Sequence, residues 1–167
     1  MATNRAATPP HADLTALAAL LGTWEGHGHG TYPTIEAFDY GEQVRFWHVG
    51  KPFLAYTQRT WALDDGRPLH AESGYWRSRP GGLVELTMAH PTGLVELLAG
   101  TVSADRDGSR IELASTLVAG TATAKRVDAV TRTVLVGHGV LRYDLAMAAV
   151  GQPLTHHLRA ELHRVDS

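Results

Sequence analysis

Gly22-Thr23-Trp24-Glu25-Gly26-His27-Gly28-His29-Gly30-Thr31-Tyr32-Pro33-Thr34-Ile35 is the stretch on which the fold turns, because Trp24, Gly26, Gly28 and Gly30 recur on a strict two-residue period. On a β-strand that period puts one aromatic ring and three glycines on a single face. A strand interior gives up side chains in this way mainly where something approaches its backbone closely. Two readings follow: a kinked barrel strand with no ligand, or a strand wall flattened so that a planar ligand lies near it. Pro33 then fixes a tight exit from the strand.

Working outward, residues 1–12 read as a loose, proline-containing arm and residues 13–167 as one domain. Leu14, Leu17, Ala18 and Leu21 fall at helical spacing behind Asp13, a capping residue, so a short N-terminal helix is expected. After it come short runs rich in Val, Thr, Leu and aromatics, separated by turn sequences such as Asp64-Asp65-Gly66-Arg67-Pro68 and His90-Pro91-Thr92-Gly93. Strands are placed near 24–30, 42–49, 53–63, 70–78, 83–89, 94–103, 110–118, 125–136, 140–148 and 154–165. A meander this long closes on itself to remove its edges. The expected fold is all-β, a single antiparallel up-and-down barrel of about ten strands, wide enough to leave room for a ligand.

Composition narrows the function classes. The 167 residues suit one domain with a sizeable core, and 15 Lys+Arg against 17 Asp+Glu leave a formal charge of -2, with no basic field for nucleic acid. There is no cysteine, hence no disulfide, thiolate ligand or CxxCH haem attachment site. No apolar run approaches a membrane span and the first residues lack a secretion signal, so a soluble cytoplasmic protein is expected.

The ten histidines carry the candidate chemistry, since a neutral imidazole suits iron and other borderline metals. His27 and His29 alternate with the glycines and are read as pointing outward. His11, His138 and His163 are read as solvated, and His48 as core. His70 and His90 stand at strand edges beside turns, where either a hydrogen bond to a loop or a place at the barrel mouth would explain them. In the last strand, alternation puts His156 with Leu158, Ala160 and Leu162, and His157 with Arg159 and Glu161.

The opening motif resembles the signature of the nitrobindins, small all-β haem proteins. The likeness continues through Val49-Gly50-Lys51-Pro52-Phe53-Leu54, Pro68 to Tyr75, Ala89-His90-Pro91-Thr92-Gly93, Thr123-Ala124-Lys125 and Gly151-Gln152-Pro153-Leu154 to Leu158. It implies one non-covalent haem b per chain with His157 as the axial iron ligand. Lys125 would then serve the propionates, and Thr31 to Thr34, Thr34 included, would border the haem. Strand parity disagrees over His157, and a one-residue bulge near Pro153 would reconcile the two. The implied activity is conversion of peroxynitrite to nitrate, with nitric oxide as a second ligand. The alternative is a non-catalytic carrier of a fatty acid or other apolar molecule in a lipocalin-like barrel.

Overall fold

A computed structural model describes residues 8–165. Ten strands follow in chain order: β1 Gly22–Tyr32, β2 Ile35–Trp47, β3 Leu54–Ala62, β4 Pro68–Arg79, β5 Leu83–Ala89, β6 Leu94–Asp105, β7 Gly108–Gly120, β8 Val127–Gly137, β9 Val140–Ala149 and β10 Thr155–Val165. Each pairs antiparallel with its successor and β10 returns to β1, closing the barrel. This is the expected up-and-down topology, and closure leaves no sheet edge exposed along most of its circumference. The main departure is β2, which starts at Ile35 rather than near Glu42. Its first half is recruited by its neighbour, with Phe38 opposite Gly30 and Tyr40 opposite Gly28, so pairing overrides the weak local pattern.

One end of the barrel is plugged. Residues Ala12–Leu20 form a 3-10 helix whose Leu14, Leu17 and Leu20 are fully buried. Their three-residue spacing matches three residues per turn, so it is Leu20 rather than Leu21 that completes the apolar stripe. The helix is capped by His11, whose Nδ1 accepts from the Asp13 N–H at 3.2 Å, and not by Asp13 as the sequence suggested. Trp24 Nε1 donates to the Leu20 carbonyl at 2.8 Å, Arg164 stacks over the Trp24 ring at 4.3 Å from its centroid, and the same guanidinium donates to the Ala19 and Leu21 carbonyls. First strand, plug and last strand are thereby tied together. Of the expected arm, residues 1–7 lie outside the described residues.

The other end is open. It is rimmed by the turns between β1 and β2, β3 and β4, β5 and β6, β7 and β8, and β9 and β10. The ladder between β7 and β8 covers only Ser109–Ala114 against Thr131–Val136. Beyond it the Val130 N–H donates to Ser115 Oγ at 2.9 Å, and the last residues of β7 and the first of β8 do not pair with each other toward the rim. Among the described residues no helix is long and apolar enough to cross a membrane.

Candidate functional site

A cavity of about 710 Å³ descends from the open end between the strands, a size typical of cofactor and small-molecule sites. Its lining is mostly apolar, with Phe38, Val130, Leu145, Met147 and Leu158 among the contributors. His157 reaches this lining through a device of the backbone. In the pairing of β10 with β9, His156 faces Ala146 and Leu158 faces Leu145, so His157 is the extra residue of a bulge. Leu158 lines the cavity and Ala160 and Leu162 are buried, as alternation requires, but the bulge turns His156 outward and His157 inward. The bulge lies at His157 itself rather than near Pro153.

A second irregularity meets the first. β1 shifts register between Gly30 and Tyr32, at Thr31, and the His157 Nδ1–H donates to the Thr31 carbonyl at 3.0 Å. A carbonyl carries no proton, so the shared proton belongs to Nδ1, and in the neutral ring Nε2 keeps its lone pair. The Tyr32 ring stands edge-on to the imidazole at 5.3 Å and is itself held by the Ala149 N–H, which donates to Tyr32 Oη at 3.0 Å. Burial lowers the His157 pKa, against the hydrogen bond to Thr31, which raises it. His156 is exposed beside Asp144, with Nε2 to Oδ1 at 3.1 Å.

The glycine face does not bound the cavity directly. A side chain at Gly28 would collide with the Tyr40 ring, one at Gly30 with the Phe38 ring, and one at Gly26 with the backbone of β10. The glycines are spacers that let two aromatic rings lie across β1, and those rings form the wall. His27 is exposed, and half-buried His29 meets Asp39 at 2.7 Å. His48 is half-buried beyond the end of β2, where its Nδ1 accepts from the Gly50 N–H. Thr34 and Lys125 both occupy rim turns and are exposed; neither lines the cavity.

Deeper in the cavity runs a belt of buried polar groups that the sequence reading missed. Arg132 donates to both oxygens of Glu72, at 2.8 and 3.0 Å, and to Glu96 at 3.2 Å. Tyr56 donates to Glu72 at 2.6 Å. Glu42 accepts from Tyr143 at 2.7 Å and from Gln58 at 3.1 Å, and Tyr143 shares a 2.8 Å contact with Tyr40. Burial would raise the Glu72 pKa, but the Arg132 guanidinium holds it at about 2. Glu42 lacks such a partner, and burial pushes its carboxyl up to about 7. The signal was present in the alternation: Glu42 shares parity with Tyr40, Val44 and Phe46, Glu72 with Trp76, Glu96 with Leu98, and Arg132 with Val130, Val134 and Val136. Charged residues on an apolar parity face inward. His70 and His90 join this belt rather than holding a loop, with His70 Nε2 3.1 Å from His90 Nδ1.

Comparison with known proteins agrees with this architecture. A family model described as "THAP4-like, heme-binding beta-barrel domain" matches residues 13–164. The chain is 51% identical over 154 residues to a protein of Nocardia farcinica named peroxynitrite isomerase, covering 92% of each. It is 53% identical over 154 residues to the peroxynitrite isomerase 2 of Mycobacterium marinum, covering 92% of this chain and 96% of that one. The crystal structure of Rv2717c from M. tuberculosis superposes with a TM-score of 0.91 at 48% identity, covering 95% of this chain and 100% of that one. With its ten-strand closed barrel and a match spanning nearly every described residue, the chain belongs to the THAP4-like heme-binding β-barrel family.

Proposed function

We propose that the barrel holds one haem b non-covalently, that His157 Nε2 would ligate its iron, and that the protein isomerises peroxynitrite to nitrate. The observation that carries this reading is the paired irregularity at Thr31 and His157, which presents a neutral imidazole with a fixed tautomer to an apolar cavity of haem-like capacity. The names of the relatives at 51% and 53% identity support the substrate. When bound, a ferric haem supplies a Lewis acid that polarises an anionic peroxide and weakens its O–O bond.

The chain's own residues supply the rest. The Thr31 carbonyl keeps the His157 proton on Nδ1, and Tyr32 fixes the ring plane. Phe38, Met147 and Leu158, which line the cavity, would exclude water from the bound group. Lys125, on the exposed rim, would offer a cation to the propionates, and Thr34 borders the same rim. Nitric oxide belongs to the same reading as a neutral ligand of the iron. With no cysteine in the chain, thioether attachment is impossible.

A fatty-acid carrier fits less well. An elongated carboxylate would want a free buried cation for its head, and Arg132 is already engaged by Glu72 and Glu96. Titrating the apoprotein with haemin should give a Soret band saturating at one haem per chain, and the loaded protein should speed peroxynitrite decay in stopped flow with nitrate as the main product. Decay no faster than with apoprotein would overturn the isomerase reading, and a protein that stays colourless would overturn the haem site.

A further inference from the structure

We propose that His70, Glu72 and His90 form a binding site for a divalent first-row transition-metal ion, separate from the His157 imidazole. In the strand order β5 lies five positions from β10 in either direction around the ten-strand barrel, so the cluster at β4 and the end of β5 occupies the wall opposite His157. The site is independent of the haem reading.

The geometry is that of a three-ligand site. The two-residue period of β4 turns His70 and Glu72 to the same interior face, and the chain brings His90 to them at the β5–β6 turn. His70 Nε2 lies 3.1 Å from His90 Nδ1, and His90 Nδ1 lies 3.6 Å from Glu72 Oε2. All three ligand atoms fall within 4.8 Å of one another. Four-coordinate bonds of about 2.0–2.1 Å imply ligand-to-ligand edges of roughly 3.3–3.4 Å, and the two measured edges bracket that value. The positions are also anchored: the His70 N–H donates to Thr60 Oγ1 at 3.0 Å, and the His90 N–H donates to the Leu94 carbonyl at 2.9 Å.

Donor capacity points the same way. A carboxylate offers about four lone-pair sites. On Glu72, Tyr56 and Arg132 use two at Oε1 and Arg132 one at Oε2, which leaves a lone pair on Oε2, the oxygen nearer His90. His90 Nε2 is buried without a hydrogen-bond partner, although Glu96 Oε1 lies 3.1 Å away, out of line. Coordination at Nδ1 would place the ring proton on Nε2, and a slight turn of the ring would aim it at Glu96. That is the carboxylate–histidine–metal arrangement that orients most ligating imidazoles. Charge favours a cation too, because Glu72 and Glu96 are set against the one guanidinium of Arg132. Two histidines and a carboxylate with a fourth position open to the cavity suit zinc, cobalt or ferrous iron.

The test uses the full-length chain free of haem, titrated with Co²⁺ by visible d–d absorption and with Zn²⁺ by calorimetry and displacement of cobalt. One ion per chain is expected. His70→Gln and His90→Gln should each lower affinity about 100-fold or more, since loss of even an outer partner of a ligand costs roughly 10–100-fold, while His157→Ala should leave it unchanged. His70→Gln carries the weight, because that half-buried ring can be replaced without touching the Glu72–Arg132 pair, and an unchanged melting temperature checks its fold. The absence of saturable 1:1 uptake, full affinity in a folded His70→Gln chain, or loss of uptake in His157→Ala would each overturn the site. Because haem is absent throughout, failure here leaves the haem reading standing, and failure there leaves this one.

Discussion

His156 and His157 are adjacent and chemically identical, yet the backbone gives them opposite environments. His157 is turned inward with Nδ1 committed to Thr31, while His156 is solvated beside Asp144. On the proposed ligation, His157→Ala removes the principal bond between protein and iron and should abolish or greatly weaken haem uptake, read by the Soret band, with the barrel still folded by circular dichroism. His156→Ala should keep the spectrum. Reversed outcomes would mean that simple alternation governs the haem ligand after all. Alternation made most inward positions legible in the sequence, and the turn residues made the strand count legible. The bulge was not, because nothing in Thr155-His156-His157-Leu158 marks which residue is supernumerary; that is decided by register against β9 and by the carbonyl waiting at Thr31. The buried charges of the belt escaped for a different reason: Glu42, Glu72, Glu96 and Arg132 obey the inward parity, but residue type alone argues for solvent.

At the scale of single elements, β1 is the strand on which its neighbours depend. Its glycines allowed two readings, a kinked strand or clearance for a planar ligand, and their space is taken by Tyr40 and Phe38. Tyr40 in turn shares a hydrogen bond with Tyr143, which donates to Glu42, so clearance at Gly28 positions one branch of the polar belt. Gly28→Val puts a branched side chain where the Tyr40 ring lies, and overpacking of this kind costs typically about 1–3 kcal/mol. The variant should melt lower, by about 2–12 °C on the usual scaling, and take up haem less tightly as Tyr40 is pushed into the cavity. Unchanged melting together with unchanged uptake would show that the glycines are not spacers. The 3-10 plug illustrates the converse. Leu14 and Leu17 were visible as an apolar pair at helical spacing, but the choice between 3.6 and three residues per turn came from the barrel end, whose core accepts Leu20 and leaves Leu21 to end the helix.

Among the described residues the barrel buries three carboxylates and one guanidinium on its inner wall, and its response to pH follows from how unevenly they are partnered. Glu72 and Glu96 face Arg132, and Glu42 faces Tyr143 and Gln58, with Tyr40 one contact beyond. Burial moves the Glu42 carboxyl from 4.5 to about 7, with the Glu72 charge adding to the rise and the Tyr143 and Gln58 hydrogen bonds and Arg132 opposing it. Below the ordinary value both folded and unfolded chains hold the proton; between the two values only the folded chain does; above about 7 neither does. Unfolding therefore releases a proton within that window, and stability falls as pH rises through it, by on the order of 3 kcal/mol for a shift of this size. Glu42→Gln removes the titration while retaining an acceptor for Tyr143. Every other ionisable group is common to both proteins, so the informative quantity is the difference between the two urea-unfolding curves. The variant should gain on the parent steadily from about pH 5 to about pH 7 and by a constant amount above that; a difference that stays flat across the window would mean that Glu42 ionises in the folded barrel as it does in water.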